Sequence, residues 1–142
     1  MEIIVAYWSG TGNTQAGADI LTNAIKDAGK DVREVNVENF SADELKDCPV
    51  FALGCPAMGD EVLEESVMED FVIAVEGFAA GKKIGLFGSY GWGDGQWMRD
   101  WVERMEKAGA TVCGGEDAIW CNEPDADAED KLKALGAQLA AF

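Results

Sequence analysis

The sequence has no histidine at all. That absence excludes Ser-His-Asp and Cys-His catalysis and every metal site that depends on imidazole. Basic residues are also scarce, with 11 lysines and arginines against 27 acids and a formal net charge of −16. Such a balance argues against nucleic acid and anionic membranes as partners. It favours a basic protein partner, unless the charge serves solubility alone.

Other features that the sequence lacks bear on the cellular compartment, membrane insertion and metal binding. The four cysteines include no CxxC pair, and no charged-then-apolar leader opens the chain, which favours reduced, mostly buried thiols in a cytoplasmic protein. No run approaches the ~18 apolar residues of a membrane span, so we expect a soluble chain. No EF-hand pattern occurs, and we predict no metal site. The 142 residues suit one domain, residues 1–142, with one core.

Apolar residues recur at strand and helix spacings in turn along the chain. Strands are predicted at residues 3–6, 31–37, 49–54 and 82–88, with a fifth in two parts at 110–113 and 118–120. Helices are predicted at residues 16–28, 64–78, 94–109 and 126–140. Asp94 is predicted to cap the third helix, and the second strand is predicted to lie near an edge. Alternating strands and helices imply a single doubly wound α/β parallel sheet with helices on both faces.

The loop after the first strand has the sequence Tyr7-Trp8-Ser9-Gly10-Thr11-Gly12-Asn13-Thr14. Its two glycines let the backbone come close to a ligand. Its hydroxyl and amide side chains add neutral donors where the first N–H groups of a helix are unpaired. These features favour a phosphate site, with a glycine-rich connector and a helix cap as the alternative.

Features that this loop lacks argue against two kinds of phosphate ligand, a nucleoside triphosphate and a dinucleotide. There is no Lys or Arg between Met1 and Asn23, so no side chain there could neutralise a triphosphate. The third glycine position of a dinucleotide fingerprint holds Gln15. We therefore expect a terminal monophosphate held by hydroxyls, amides and a helix dipole, without a salt bridge.

Two later loops also leave predicted strand ends with unusual residues. Residues 55–61, Cys-Pro-Ala-Met-Gly-Asp-Glu, set a soft apolar side chain beside a glycine and two carboxylates. Residues 89–95 isolate Trp92 between glycines, which favours an aromatic platform for a flat ligand over a tryptophan folded back on the surface. Met58 by itself is a weaker signal, because methionine usually fills gaps in a core. Since the carboxyl ends of parallel strands meet at one edge, the three loops can form one site.

The segments SGTGNT, PAMGDE and SYGWGDG, in this order, closely resemble the flavodoxins, small electron carriers that bind flavin mononucleotide (FMN). The resemblance runs from residue 3 to about residue 125 and implies a five-stranded sheet of order 2-1-3-4-5 in a short-chain member. It also implies a monomer that docks transiently to redox partner proteins through an acidic surface and turns over no substrate. An FMN-dependent quinone or nitro reductase on the same fold is the alternative. A receiver domain is disfavoured, because Trp8-Ser9 and Cys55-Pro56 occupy the positions where it needs acids.

The resemblance also implies roles for single residues. The flavin phosphate would be bound by Ser9, Gly10, Thr11, Gly12, Asn13 and Thr14, with Ser89 assisting. The isoalloxazine ring would have Ala57 and Met58 on its inner face and Trp92 on its outer face, with Tyr90, Gly91 and Gly93 in the same loop. The Gly59–Asp60 peptide would lie beside flavin N5, and Glu61 would accept a hydrogen bond from N3–H. Asn122 belongs to the last matching loop, while the roles of Trp120 and Cys121 stay open.

Redox tuning is implied at Gly59 and Asp60. In the family, the peptide at the position of Gly59 flips on one-electron reduction, and its carbonyl then stabilises the neutral semiquinone. The anionic hydroquinone is disfavoured by nearby negative charge. No Lys or Arg occurs from Asp47 to Gly81, whereas that segment carries the acids Asp60, Glu61, Glu64, Glu65, Glu69, Asp70 and Glu76. We therefore expect a low-potential one-electron carrier that cycles mainly between semiquinone and hydroquinone.

Overall fold

The computed structural model describes residues 2–59, 62–91 and 93–142. The strands in these ranges are β1 (Glu2–Tyr7), β2 (Asp31–Asn36), β3 (Val50–Gly54), β4 (Lys83–Tyr90), β5 (Thr111–Cys113) and β6 (Ile119–Cys121). The helices are α1 (Asn13–Asp27), α2 (Met68–Glu76), α3 (Gln96–Lys107) and α4 (Ala126–Ala140), with short 3₁₀ helices at Val37–Asn39 and Ala42–Leu45. None of the helices in the described ranges is long and apolar enough to cross a membrane.

The strands form one parallel sheet in the order β2-β1-β3-β4-β5. This order confirms the predicted fold class. The two parts of the predicted fifth strand appear as β5 and β6, which both pair with β4. β5 runs beside Lys83–Gly85 and β6 beside Gly88–Tyr90, so a single long strand supports both segments.

Helices cover both faces of the sheet because successive strand side chains point to opposite sides. In β3, Val50 and Ala52 lie in one buried cluster, whereas Phe51 and Leu53 lie in the other. The helical members of the first cluster include Leu21, Ile25, Leu132, Leu135 and Leu139, from α1 and α4. Those of the second include Met68, Phe71, Val72, Trp97, Trp101 and Met105, from α2 and α3. All five residues of β3 are buried, as expected for a strand covered on both sides.

The edge position predicted for the second strand is confirmed. In the described ranges β2 pairs with β1 alone, and none of its residues is fully buried. Its alternation of apolar and polar residues reflects this half-solvated position, in contrast to the continuous apolar run of β3.

The second helix is shorter than the sequence predicts. We expected it to begin at residue 64, but α2 begins at Met68. The reason is that the Glu64 side chain folds back and accepts hydrogen bonds from the main-chain N–H groups of Val67 at 3.0 Å and Met68 at 3.3 Å. Glu64 thus precedes the helix and caps it.

The predicted capping of the third helix by Asp94 is wrong. Gly95 occupies the cap position with φ of 90°, a left-handed conformation that glycine adopts without steric cost. No side-chain cap forms there. The Asp94 carboxylate instead accepts a hydrogen bond from Arg99 Nη2 at 2.9 Å, because the guanidinium offers a full opposite charge.

Candidate functional site

Three loops meet at the carboxyl edge of the sheet and form one cleft. They converge because β1, β3 and β4 end side by side, with Tyr7 paired to Gly54 and Gly54 paired to Phe87. The cleft has a volume of about 210 Å³. Its lining residues are Trp8, Gly10, Thr11, Asn13, Pro56, Ala57, Met58, Ser89, Tyr90, Gly91 and Asn122.

The first loop forms the polar wall of the cleft. Gly12, with φ of 94°, turns the chain into α1, and a residue with a Cβ would be strained in that conformation. Ser9 Oγ accepts hydrogen bonds from the N–H groups of Gly12 at 3.1 Å and Gln15 at 3.3 Å. The hydroxyl therefore stands at the N-terminal end of α1, where a helix attracts negative charge.

A buried hydroxyl pair connects the first and third loops. Thr14 Oγ1 lies 3.0 Å from Ser89 Oγ, and both side chains are buried. The main chain adds a second connection, since Trp8 N–H donates to Gly54 O at 2.9 Å. Ser89 therefore lies directly against the first loop.

The second loop supplies apolar lining. Ala57 N–H donates to Ser89 O at 2.9 Å, which holds the start of the loop against the end of β4. Met58 N–H donates to Val62 O at 2.9 Å and closes a tight turn. Ala57 and Met58 are half-buried at the cleft, whereas Gly59 is exposed at the tip of the turn. The predictions made for Asp60 and Glu61 concern residues outside the described ranges.

The third loop and the end of β6 complete the rim. Tyr90 and Gly91 line the cleft, and Gly93, with φ of 91°, turns the chain towards α3. The prediction for Trp92 falls outside the described ranges. Asn122 reaches the rim because β6 pairs with β4, and its N–H donates to Tyr90 O at 2.8 Å. In the described residues it is the single non-glycine residue with positive φ, 60°.

Most of the predicted residues within the described ranges line this cleft, and five do not. Thr14 is buried beneath the lining, and Ser9, Gly12, Gly59 and Gly93 shape the loops without lining the cleft. Two lining residues were not predicted. Trp8 packs over Gly10, where an added Cβ would lie 3.0 Å from its ring, and Pro56 precedes Ala57 in the second loop. The sequence signal that could have identified them is that Trp8 directly precedes Ser9 and Pro56 directly precedes Ala57.

Trp120 does not belong to the cleft. Its indole is 4% exposed and packs directly on Gly17 of α1, where an added Cβ would lie 2.1 Å from the ring. Cys121 is exposed and is also absent from the lining. Trp120 is thus a core residue.

The chemistry of the lining is neutral. None of the lining residues carries a charge, and the polar ones offer hydroxyl or amide groups: Thr11, Asn13, Ser89, Tyr90 and Asn122. The Cys55 thiol, which precedes the lining residue Pro56, is completely buried. Burial raises the pKa of this thiol to about 12, so it stays protonated at neutral pH. The site can therefore bind and orient a ligand, but it presents no charged acid, base or nucleophile in its described lining.

A parallel sheet with a neutral, hydroxyl-lined cleft at its carboxyl edge defines a nucleotide-binding α/β protein. A sequence profile described as Flavodoxin matches residues 5–135. The chain is 50% identical over 136 residues to the flavodoxin of Megasphaera elsdenii, covering 96% of each chain, and 48% identical to that of Clostridium beijerinckii, covering 96% of this chain and 97% of the other. The chain belongs to the flavodoxin family.

Solved structures support this assignment. The two-electron reduced flavodoxin of Megasphaera elsdenii superposes with a TM-score of 0.87 at 44% identity, with 99% of each chain covered. A flavodoxin from the domain Archaea gives a TM-score of 0.83 at 29% identity, covering 99% of this chain and 97% of the other. Flavodoxins are electron-transfer flavoproteins that bind FMN and exchange electrons with redox partner proteins.

The described residues fit this cofactor. A phosphate suits the end of the cleft beside the N-terminus of α1, where Thr11 and Asn13 present neutral donors. A flat ring suits the apolar surface of Ala57 and Met58. The described lining contains no Lys or Arg.

Proposed function

We propose that the chain is a low-potential one-electron carrier that binds FMN non-covalently in this cleft and cycles mainly between the one-electron-reduced and fully reduced states of the flavin. Bound FMN supplies the redox chemistry, and the protein orients and tunes it. The observation that carries the proposal is the pairing of neutral donors at the α1 terminus with the apolar surface of Ala57 and Met58 across one cleft.

The proposal gives each loop its own task. Residues 9–14, with Ser89, bind the phosphate through hydroxyl and amide donors, and Asn122 contributes at the rim. Ala57 and Met58 cover the inner face of the ring. We also propose that Trp92, together with Tyr90, Gly91 and Gly93, closes the outer face, and that Glu61 accepts a hydrogen bond from the ring.

Gly59 would tune the redox steps through its peptide bond to Asp60. In the conformation described here, a Cβ added to Gly59 would meet no atom of the described residues outside its chain neighbours within 4 Å, and its φ lies outside the left-handed range. This conformation therefore does not require glycine. A requirement for glycine would arise in a second conformation of the turn, as expected if the peptide reorients during reduction.

Replacing Gly59 by valine tests that role. Because the described conformation has room for the side chain, we expect the apoprotein to keep its stability. We expect less of the one-electron-reduced form during stepwise reduction, since a β-branched residue disfavours positive φ. The measurement is the visible spectrum at successive degrees of reduction, with Gly77→Ala, in an exposed turn, as a control; an unchanged yield of that form in Gly59→Val contradicts the role.

Nearby negative charge supports the low potential. One like charge at ~6 Å and an effective dielectric constant of about 20 costs roughly 3 kcal/mol before screening, on the order of 100 mV for a one-electron step. Arg104 reduces this effect for two of the acids, because its guanidinium lies 3.0 Å from Glu69 Oε1 and 2.7 Å from Glu76 Oε1. Glu65 and Asp70 are exposed and have no ion pair in the described ranges.

We also propose that the protein is a cytoplasmic monomer without substrate turnover of its own, and that it docks to redox partners through acidic surface. All four cysteines carry free thiols, three of them buried, as suits a reducing compartment. The two curated relatives matched over at least 96% of their length are both flavodoxins, which supports the carrier over a quinone or nitro reductase. Steady-state NAD(P)H oxidation by the purified protein would favour the reductase.

Stepwise reduction of the purified protein, followed by visible spectroscopy, tests the proposal. We expect a yellow oxidised form, a blue intermediate and a pale reduced form, with FMN released on denaturation. A colourless protein that takes up no FMN, or a flavin that passes directly to its two-electron-reduced state, contradicts the proposed carrier.

A further inference from the structure

Glu64 is the single Asp, Glu, Lys or Arg that is fully buried among the described residues, with 4% of its surface exposed. Its carboxylate accepts hydrogen bonds from the N–H and hydroxyl groups of Ser66 and from the N–H groups of Val67 at 3.0 Å and Met68 at 3.3 Å. These N–H groups belong to the start of α2, whose cap residue Val67 provides no side-chain acceptor. The buried charge is thus fully partnered by one helix terminus.

The ionised state of this carboxylate follows from its partners. Burial works to raise the pKa of Glu64, but the hydrogen bonds from Ser66, Val67 and Met68 outweigh it and lower the pKa. Glu64 therefore stays negative at neutral pH.

The main chain of Glu64 is anchored as well. Its N–H donates to Cys55 Sγ at 3.4 Å, and its carbonyl accepts from Glu69 N–H at 2.9 Å. Cys55 is itself fixed, because its N–H donates to Phe87 O at 3.2 Å and its carbonyl accepts from Trp97 Nε1 at 3.2 Å. The segment between Cys55 and Glu64 is thus held at both ends.

That segment contains the turn closed by Met58 and Val62. Glu64 and Ser66 also share a surface cleft with Met58 and Gly59, so the anchor and the turn are neighbours in space. A shift of Glu64 would be transmitted to the turn, because fewer than ten residues separate the two fixed points.

We propose that Glu64 is a positioning residue for the cofactor: its side chain joins the start of α2 to the end of the Met58–Val62 turn and so holds the inner wall of the flavin cleft in place. The inference rests on the proposed function. It predicts that Glu64 controls FMN affinity and the separation of the two one-electron potentials by geometry, in addition to any effect of its charge.

Three variants separate geometry from charge. Glu64→Gln removes the charge and turns an N–H donor towards the N–H groups of α2, whereas Glu65→Gln removes a charge from the exposed neighbouring residue. Ser66→Ala keeps every charge but deletes the hydroxyl that donates to Glu64. If Glu64→Gln does not fold, Ser66→Ala still tests the connection.

The measurements are FMN titration of the apoproteins, the two one-electron midpoint potentials, and thermal unfolding of the apoproteins. For Glu64→Gln we expect FMN affinity about tenfold weaker and an altered separation of the potentials. Ser66→Ala should bind about threefold more weakly, and Glu65→Gln should bind like the unaltered protein.

Three results decide the matter. If Glu64→Gln and Glu65→Gln have equal affinities for FMN and shift both potentials equally, Glu64 acts through its charge alone, and the inference is overturned. If Glu64→Gln has a lower melting temperature but unchanged FMN affinity and potentials, Glu64 only caps α2, and the inference is again overturned. Failure of the unaltered protein to bind FMN or to show two one-electron steps would instead remove the proposed function, and the inference with it.

Discussion

At the scale of single residues, Glu34 couples the stability of the fold to pH. It lies half-buried on β2, opposite Val5 of β1. Burial, followed by hydrogen bonding with the Asp19 side chain, raises the pKa of Glu34 from 4.5 to about 7, against smaller opposing effects of the Thr22 hydroxyl and the Lys26 charge. The native state therefore holds a proton that the unfolded chain releases at lower pH.

The consequence is a loss of stability as pH rises. Between about pH 4.5 and 7 the native state binds more protons than the unfolded state, so the free energy of unfolding falls across this window. Glu34→Gln, which mimics the neutral form, should stabilise the protein by about 1–2 kcal/mol at pH 8, after allowing for the partial exposure of the carboxyl group, and by very little at pH 5.

Denaturant unfolding of both proteins at pH 5 and pH 8 checks this prediction. Glu38→Gln on the exposed surface is the control, because it removes the same charge from a highly acidic chain without touching the buried group. Equal gains in the two variants at pH 8 would show that general charge repulsion, rather than the environment of Glu34, is responsible.

Gly17 gives a second prediction at this scale. In an exposed helix, alanine is about 1 kcal/mol more favourable than glycine. At Gly17 an added Cβ would lie 2.1 Å from the Trp120 ring, which is buried and cannot move freely. Gly17→Ala should therefore destabilise the protein by about 1–3 kcal/mol, the usual cost of overpacking. Denaturant unfolding measures it, with Asn23→Ala on the exposed side of α1 as the control; a stabilised Gly17→Ala would contradict the packing.

At the scale of elements, Arg104 joins α3 to α2. Its guanidinium donates to Glu76 Oε1 at 2.8 Å and to Glu69 Oε1 at 3.0 Å, and its side chain is 27% exposed. These hydrogen bonds, those to Glu69 first, raise the pKa of Arg104, so the charge is permanent. The two helices meet here through one cation shared by two carboxylates, which is a stronger arrangement than a simple surface pair.

Arg104→Gln should lower the free energy of unfolding by about 1–3 kcal/mol, because two part-buried carboxylates lose their shared cation. Arg99→Gln is the matched control, since the Arg99 side chain is 39% exposed and its pair with Asp94 lies at the surface. Urea unfolding at low and at high salt is the measurement. Similar small losses in both variants would mean that the Arg104 network contributes no more than a surface ion pair.

The helices and loops also show which structural features can be predicted from the sequence. Helix α4 was predicted at residues 126–140 and is found at Ala126–Ala140, because its apolar periodicity and its Asp125 cap are local features. The convergence of three loops was predictable from strand direction alone. Contacts between distant segments were not, as with Arg104, whose carboxylate partners lie about 30 residues away. The lining role of Trp8 depends on the same kind of tertiary context. The folding back of Glu64 is local by contrast, since its partners lie two to four residues further along the chain.

At the scale of the whole molecule, the net charge of −16 gives a field that acts beyond the cleft. The described acids are almost all at the surface, since Glu64 is the one that is fully buried. A field of this sign attracts a basic partner and raises the rate of encounter, without requiring a tight complex. Salt shortens its range, from about 30 Å at 0.01 M to about 3 Å at 1 M.

We therefore predict that electron transfer from the reduced protein to a haem protein with a strongly positive surface slows by about tenfold or more between 0.01 M and 1 M salt. Stopped-flow absorbance measures the second-order rate constant. A neutral quinone serves as the control acceptor, because its encounter with the protein does not depend on charge and its rate should change little. If both acceptors respond to salt alike, the dependence comes from the flavin site itself. A rate to the basic protein that does not change with salt would mean that the acidic surface confers solubility and plays no part in docking.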